Sequence, residues 1–98
     1  MMSKQNTVKV SQTKMDDPYQ FTVTVRERGS ETHHRVTMTQ DTYERLTSSQ
    51  VSLDSCIRAA FQYLLEREPK ESILPTFDVT VISTYFPDFE GDFMRYLS

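Results

Sequence analysis

The sequence predicts an α+β fold of ββα-type order, an antiparallel β-hairpin packed by a main α-helix and shorter C-terminal helices. Two observations carry that prediction. Phe21, Val23 and Val25 alternate with Gln20, Thr22, Thr24 and Arg26, and the run His34-Arg35-Val36-Thr37-Met38 alternates likewise, the period-two signature of half-buried strands. Further along, Leu53, Cys56, Ile57, Ala60, Phe61 and Leu64 recur at helical spacing in a run that Pro69 stops.

Residues 1–18 are rich in Lys, Gln, Ser, Thr and Asp and close on Asp16-Asp17-Pro18, so they read as a flexible N-terminal arm ahead of a single α+β domain over residues 19–98. Within the arm, Val8 and Val10 alternate with polar residues, the pattern of a short edge strand. In the hairpin, a two-residue loop at Gly29-Ser30 sets glycine at the first central position, where a type II′ turn needs positive φ. That loop sets Val25 opposite His34, Val23 opposite Val36 and Phe21 opposite Met38. All the apolar side chains then share one face, and Thr22, Thr24, Arg26, His33, Arg35 and Thr37 share the other.

Thr39 is an N-cap for a short helix over Gln40 to Thr47, with Asp41 and Glu44 near its positive end and Tyr43 and Leu46 on its buried side. Ser52 caps the main helix, expected from Leu53 to Glu68. At 100° per residue its apolar side chains cover roughly 200° of arc, about twice what a helix resting on one surface requires. Asp54 and Arg58 stand at i and i+4 on the polar remainder. Lys70 to Leu74 fits one helical turn. Asp78 then caps a helix over Val79 to Phe86, with a strand competing because Phe77, Val79 and Val81 also alternate. Phe89, Phe93, Tyr96 and Leu97 recur at helical spacing up to the end, with Gly91 weakening that last helix.

Composition narrows the chemistry. The chain has 98 residues, 37% of them hydrophobic, and a formal charge of −3, enough for one modest core and unfavourable for nonspecific polyanion binding. Gly29 and Gly91 are its only glycines, so neither a phosphate-cradling loop nor a dinucleotide fingerprint can be built. A single cysteine, Cys56, excludes an intrachain disulfide, and with His33 and His34 it is too few for a structural zinc cage. No cofactor or metal is expected. The start lacks the apolar core of a secretory signal, and the longest apolar runs, Ala59-Ala60-Phe61 and Tyr63-Leu64-Leu65, are too short to cross a bilayer. No membrane association is expected, and a lone Cys56 among apolar neighbours suits a cytoplasmic location.

Candidate catalytic residues are absent from this reading. Cys56 lies on the apolar arc of the main helix and reads as core filler. His33 and His34 are adjacent on a strand and point to opposite faces, with His34 facing inward near the open end of the hairpin. The carboxylates of Glu66, Glu68, Glu71, Asp88, Glu90 and Asp92 read as solvated faces, and the serines as loops and caps. A small enzyme is therefore the remotest alternative. The aromatic residues say more: Phe77, Tyr85, Phe86, Phe89, Phe93 and Tyr96 all fall in the last 22 residues. They either cover the second flank of the main helix or form an interface, for which the candidates are Tyr85, Phe86, Phe89, Phe93 and Tyr96.

The order Tyr43-Glu44-Arg45-Leu46-Thr47, then Phe61 to Leu74 with its Leu-Leu-Glu-Arg-Glu-Pro-Lys-Glu-Ser-Ile-Leu run, then Phe77-Asp78-Val79 and Tyr85-Phe86-Pro87, resembles a family of small bacterial proteins of unknown function. The resemblance runs from about Phe21 to Leu97 and implies an intact domain with no catalytic residue to carry over. Over about Arg35 to Arg67, a short strand, Tyr43 and Leu46, the cap Ser52, and Ile57, Arg58 and Ala60 are similar to ribbon-helix-helix DNA-binding proteins. That similarity implies paired strands from two chains, with Arg35, Thr37 and His33 facing the bases. A short connection between the helices, an extra strand beside the candidate ribbon, and an acidic chain depart from that pattern. The leading expectation is a noncatalytic protein-interaction module that forms a homodimer, because a two-stranded sheet leaves two open edges and the main helix has apolar surface to spare. An unidentified protein partner is compatible with that reading, and duplex DNA binding is its alternative.

Overall fold

Four strands, β1 (Asn6–Lys14), β2 (Tyr19–Glu27), β3 (Ser30–Met38) and β4 (Thr76–Asp78), form one mixed sheet in that spatial order. β1, β2 and β3 pair antiparallel, and β4 joins β3 in parallel. Between β3 and β4 lie α1 (Gln40–Thr47), α2 (Leu53–Leu65) and a 3-10 turn at Lys70–Ser72. After β4 come α3 (Thr80–Tyr85), α4 (Phe89–Phe93) and a 3-10 turn at Met94–Tyr96. The structure is a computed structural model and describes residues 6–97. The fold is α+β, as the two periodicities require.

The N-terminal segment departs from expectation. Asn6–Lys14 is not an arm but the outer strand of the sheet, with Val8 opposite Val25 and Val10 opposite Val23. The alternation of Val8 and Val10 prevails over the polar composition because Val8 gains a fully covered position in the core. The part of the expected arm at residues 1–5 lies outside the described residues. The connection to β2 is anchored at Asp17, whose carboxylate accepts from the Gln40 N–H at 3.0 Å, at the start of α1.

The hairpin register also moves. Its central turn residues are Arg28 and Gly29, at φ 56° and 83°, and Glu27 pairs with Ser30. Positive φ at both central positions is the type I′ pattern, whose twist matches that of the flanking strands, so it displaces the expected type II′ loop at Gly29-Ser30. Val23 consequently faces His34, Phe21 faces Val36 and Tyr19 faces Met38. The shift is by two residues, so every side chain keeps its predicted face while every partner changes.

α1 spans the expected residues, and the Thr39 hydroxyl accepts from the Thr42 N–H at 3.1 Å. α2 is capped by Ser52, which accepts from the Ser55 N–H at 3.1 Å, but it ends at Leu65 rather than Glu68. The N–H groups of Arg67 and Glu68 both fold back on the Leu64 carbonyl, because the residue before Pro69 is driven out of helical geometry. Arg58 does not pair with Asp54; its guanidinium donates to the Val8 carbonyl instead. Near the C-terminus both competing patterns are realised in succession, a strand to Asp78 and a helix from Thr80. Asp78 accepts from the Thr80 N–H at 3.1 Å.

The core lies between the sheet and α2 and continues past α2 to the C-terminal helices. Phe61 packs toward the sheet side, its ring 5.4 Å from that of His34 and 5.9 Å from that of Phe77. Tyr63, two positions on and so turned about 200° around the helix axis, packs edge-on against Phe86, Phe89 and Tyr96. Among the described residues no helix is long and apolar enough to cross a membrane.

The turn supplies a test of the register. A Cβ at Gly29 meets no atom within 4 Å, so Gly29→Ala is costly only through its positive φ and is expected to lose about 1 kcal/mol. Arg28→Asn creates the Asn-Gly pair that type I′ turns favour and is expected to gain a few tenths of a kcal/mol to about 1 kcal/mol. Urea denaturation at unchanged m measures both, and a neutral Gly29→Ala variant contradicts the assigned turn.

Candidate functional site

One face of the sheet is covered by α2 and the other is open. On the open face β2 and β3 align Arg26 with Glu31, Thr24 with His33, and Thr22 with Arg35, while β1 adds Lys9 beside Thr24 and Ser11 beside Thr22. His33, Arg35 and Thr37 therefore lie in one row of β3 on this face, as alternation predicts. They differ in freedom. His33 lies 3.2 Å from Glu31, which also pairs with Arg26. The Thr37 hydroxyl donates to Asp78 at 2.6 Å. Arg35 is exposed and, among the described residues, has no ion-pair partner, and the same holds for Lys9. β3 is flanked by β2 on one side and, along Arg35 to Thr37, by β4 on the other, so that stretch offers no edge to a second chain.

The five tail aromatics separate. Phe89 and Phe93 are fully buried and Phe86 and Tyr96 partly buried, packed on α2, so Phe89 and Phe93 are core and offer no surface to a partner. Tyr85 alone is open, at 66% exposure. The Tyr96 hydroxyl donates to Glu66 at 2.6 Å, and the Arg67 guanidinium lies 3.6 Å above the Tyr63 ring. The tail thus covers the second flank of α2, where helical spacing placed surplus apolar surface.

Two residues with reactive side chains are committed to structure. His34 is buried at 3% exposure, with Nε2 2.8 Å from the Thr32 hydroxyl and Nδ1 2.8 Å from the Leu74 carbonyl. A carbonyl can only accept, so Nδ1 carries the proton and Nε2 accepts from Thr32, which satisfies the neutral ring completely. Burial, reinforced by the charge of His33, holds the His34 pKa below its ordinary value against the opposing bond to Leu74. The buried Cys56 thiol lies 3.7 Å from the Met38 sulfur, and burial pushes its pKa up to about 12. Among the described residues no three His, Cys, Asp or Glu side chains gather as a metal site.

Two surfaces emerge that composition did not reveal. The first is the outer edge of β1. Arg35 N–H donates to the Pro75 carbonyl at 2.7 Å and Val79 N–H to that of Thr37 at 2.9 Å, so odd-numbered residues of β3 turn their backbone toward β4. Alternation through Thr24↔His33 and Lys9↔Thr24 then directs Lys9 toward β2 and turns the N–H and C=O groups of Val8, Val10 and Gln12 outward. The second is an apolar cleft of about 340 Å³ between the end of α2, the 72–77 segment and α3, with Glu68 at its boundary. The edge was foreshadowed by Val8 and Val10. No local signal announces the cleft, which is assembled from residues as distant as Leu64 and Phe86.

Comparison of the chain with protein-family models, curated proteins and solved structures finds no match.

His34 makes stability depend on pH. Its folded pKa is lowered, so its contribution is complete above its ordinary value of 6.5 and is lost as pH falls toward and through the folded value. Unfolding free energy is expected to fall between pH 7.5 and pH 5 with a slope of up to about 1.4 kcal/mol per pH unit. His34→Asn, which keeps a donor for Leu74 but does not titrate, is expected to flatten that slope, as denaturation at a series of pH values measures.

Proposed function

We propose that this protein is a noncatalytic interaction module that self-associates, two copies joining through the outer edges of β1 into one continuous sheet. The observation that carries this reading is the row of backbone groups at Val8, Val10 and Gln12, which a second strand can complete with hydrogen bonds. Charge selects the register. Pairing centred on Val10 sets Lys9 against Ser11 of the second copy, whereas pairing centred on Lys9 sets two lysines directly opposite. Arg58 already donates to the Val8 carbonyl, whose second lone pair is free for the new strand. The noncatalytic part of the reading is supported by the commitment of His34 and Cys56 to packing and by the elevated thiol pKa.

The backbone direction provides a clean test. Because the Val10 N–H points away from β2, Val10→Pro removes no hydrogen bond within the chain and removes two from the dimer, one from each copy. Light-scattering chromatography is expected to give about twice 11.5 kDa for the native chain at high concentration and 11.5 kDa for Val10→Pro, with unchanged circular dichroism. A native mass of 11.5 kDa at every concentration, or a Val10→Pro dimer of undiminished affinity, defeats the proposal.

A second reading, duplex DNA binding by the open sheet face, is favoured by Lys9 and Arg35, cations without an ion-pair partner among the described residues, set among the hydroxyls of Ser11, Thr22 and Thr24. It predicts anisotropy changes with a duplex pool at low salt that weaken steeply as salt rises and fall at least about tenfold in the Arg35→Ala, Thr37→Ala double variant. Absence of any change at low salt removes it.

A further inference from the structure

We infer that the apolar cleft between α2 and α3 is a docking slot for a segment of another protein that presents an aliphatic or aromatic side chain next to a lysine or arginine. Its wall is formed by Leu64, Ile73, Phe77, Val81, Ile82 and Phe86, and its volume of about 340 Å³ is within the range of pockets that take specific ligands. Two of the four large hydrophobic side chains that the described chain leaves open stand at this cleft: Leu74, 42% exposed, and Tyr85, 66% exposed. Paired exposure at a concave apolar site distinguishes a docking surface from scattered surface residues.

Charge specifies the occupant. Glu68 is the only carboxylate or cation lining the cleft, and among the described residues it takes part in no ion pair. Burial beside apolar neighbours raises its pKa, so a cation brought against it relieves an existing penalty. Glu68 also borders the groove behind the hairpin turn, but two of the three cations there are engaged elsewhere: Lys70 pairs with Glu71 at 2.7 Å, and Arg67 stacks on Tyr63. The third, Arg28, stands on the hairpin turn itself. Residues 51–98 hold eight Asp/Glu against four Lys/Arg, a field that attracts a basic segment to this half of the molecule. An apolar anchor fills the cleft, and the adjacent cation reaches Glu68.

This site lies apart from the β1 edge, and its test is independent of it. A phage-displayed library of random nine-residue peptides, selected on the full chain, is expected to enrich Leu, Ile, Met, Phe or Trp next to Lys or Arg. Affinity of the enriched peptide is expected to fall about tenfold or more in Glu68→Lys and in Tyr85→Ala. Tyr85 is open, so its variant keeps the fold, which circular dichroism verifies, and amide shifts on binding are expected at Ile73, Phe77 and Ile82. Failure to enrich any peptide, enrichment without a basic residue, or affinity unchanged in both variants overturns the inference. So does n-hexylamine binding as tightly as the peptide, which marks a small-molecule site. Loss of self-association in Tyr85→Ala alone also overturns it, because the cleft then holds a second copy.

Discussion

The burial of α2 on two opposite sides is the constraint on which the rest of the structure depends. Thirteen residues of helix carry Phe61 toward the sheet and Tyr63 away from it, and both rings are almost wholly covered. One surface cannot satisfy both. The sheet takes the first, through His34 and Phe77, and the C-terminal helices take the second, through Phe86, Phe89 and Tyr96. Each of the three edge-on pairs that Tyr63 makes with Phe86, Phe89 and Tyr96 contributes roughly 0.5–1.5 kcal/mol beyond the apolar area it covers. The short α3 and α4 have little helical stability of their own, so the aromatic contacts with α2 are what hold them.

That arrangement decides which surfaces remain for a partner. The tail aromatics are consumed in covering α2, and of the expected interface set Tyr85 alone is open. The sheet grows from two strands to four, which answers most of the need that a bare hairpin has for a second chain. What the chain leaves for a second copy is thus not surplus apolar area but a specific row of backbone groups on β1. That row is partly occupied, since Arg58 takes one lone pair of the Val8 carbonyl and the Gln12 side chain folds back to the Lys14 carbonyl at 3.1 Å. Edge strands are commonly guarded in this manner, and here the guards lie at either side of Val10.

Sequence patterning resolved faces better than partners. Phe21, Val23, Val25, Val36 and Met38 all point inward as alternation requires, and the caps at Thr39 and Ser52 fix two helix starts to the residue. The observed hairpin pairing stands two residues from the one alternation predicts, because side-chain parity is blind to even shifts and Arg28 in a left-handed conformation has no local signature. β1 was obscured by polar residues that an outer strand tolerates on its open face. α2 stopped short of Pro69 because the proline acts on the residues before it. For the candidate site, the row of His33, Arg35 and Thr37 was legible, whereas the engagement of Thr37 by Asp78 joins residues 41 apart and leaves no trace in local pattern.

The same kind of distant bonding makes the cleft a preformed feature. Its wall includes Ile73 and Leu74, which belong to an otherwise irregular stretch between a proline-led turn and three residues of strand, and Phe77 at the middle of that strand. Such a stretch would ordinarily be mobile. Here it is bound to β3 at successive points: the Leu74 carbonyl accepts from His34, the Pro75 carbonyl from the Arg35 N–H, and Asp78 from the Thr37 hydroxyl, while Val79 N–H donates to the Thr37 carbonyl. Since β3 is itself held by β2 along its whole length, the wall inherits the rigidity of the sheet. A segment docking there meets a surface whose ordering entropy has already been spent in folding, so more of its contact energy is available as affinity. The buried imidazole of His34 is one of those anchors: its Nδ1–H holds the Leu74 carbonyl while Nε2 accepts from Thr32, so both ring nitrogens are spent within the chain.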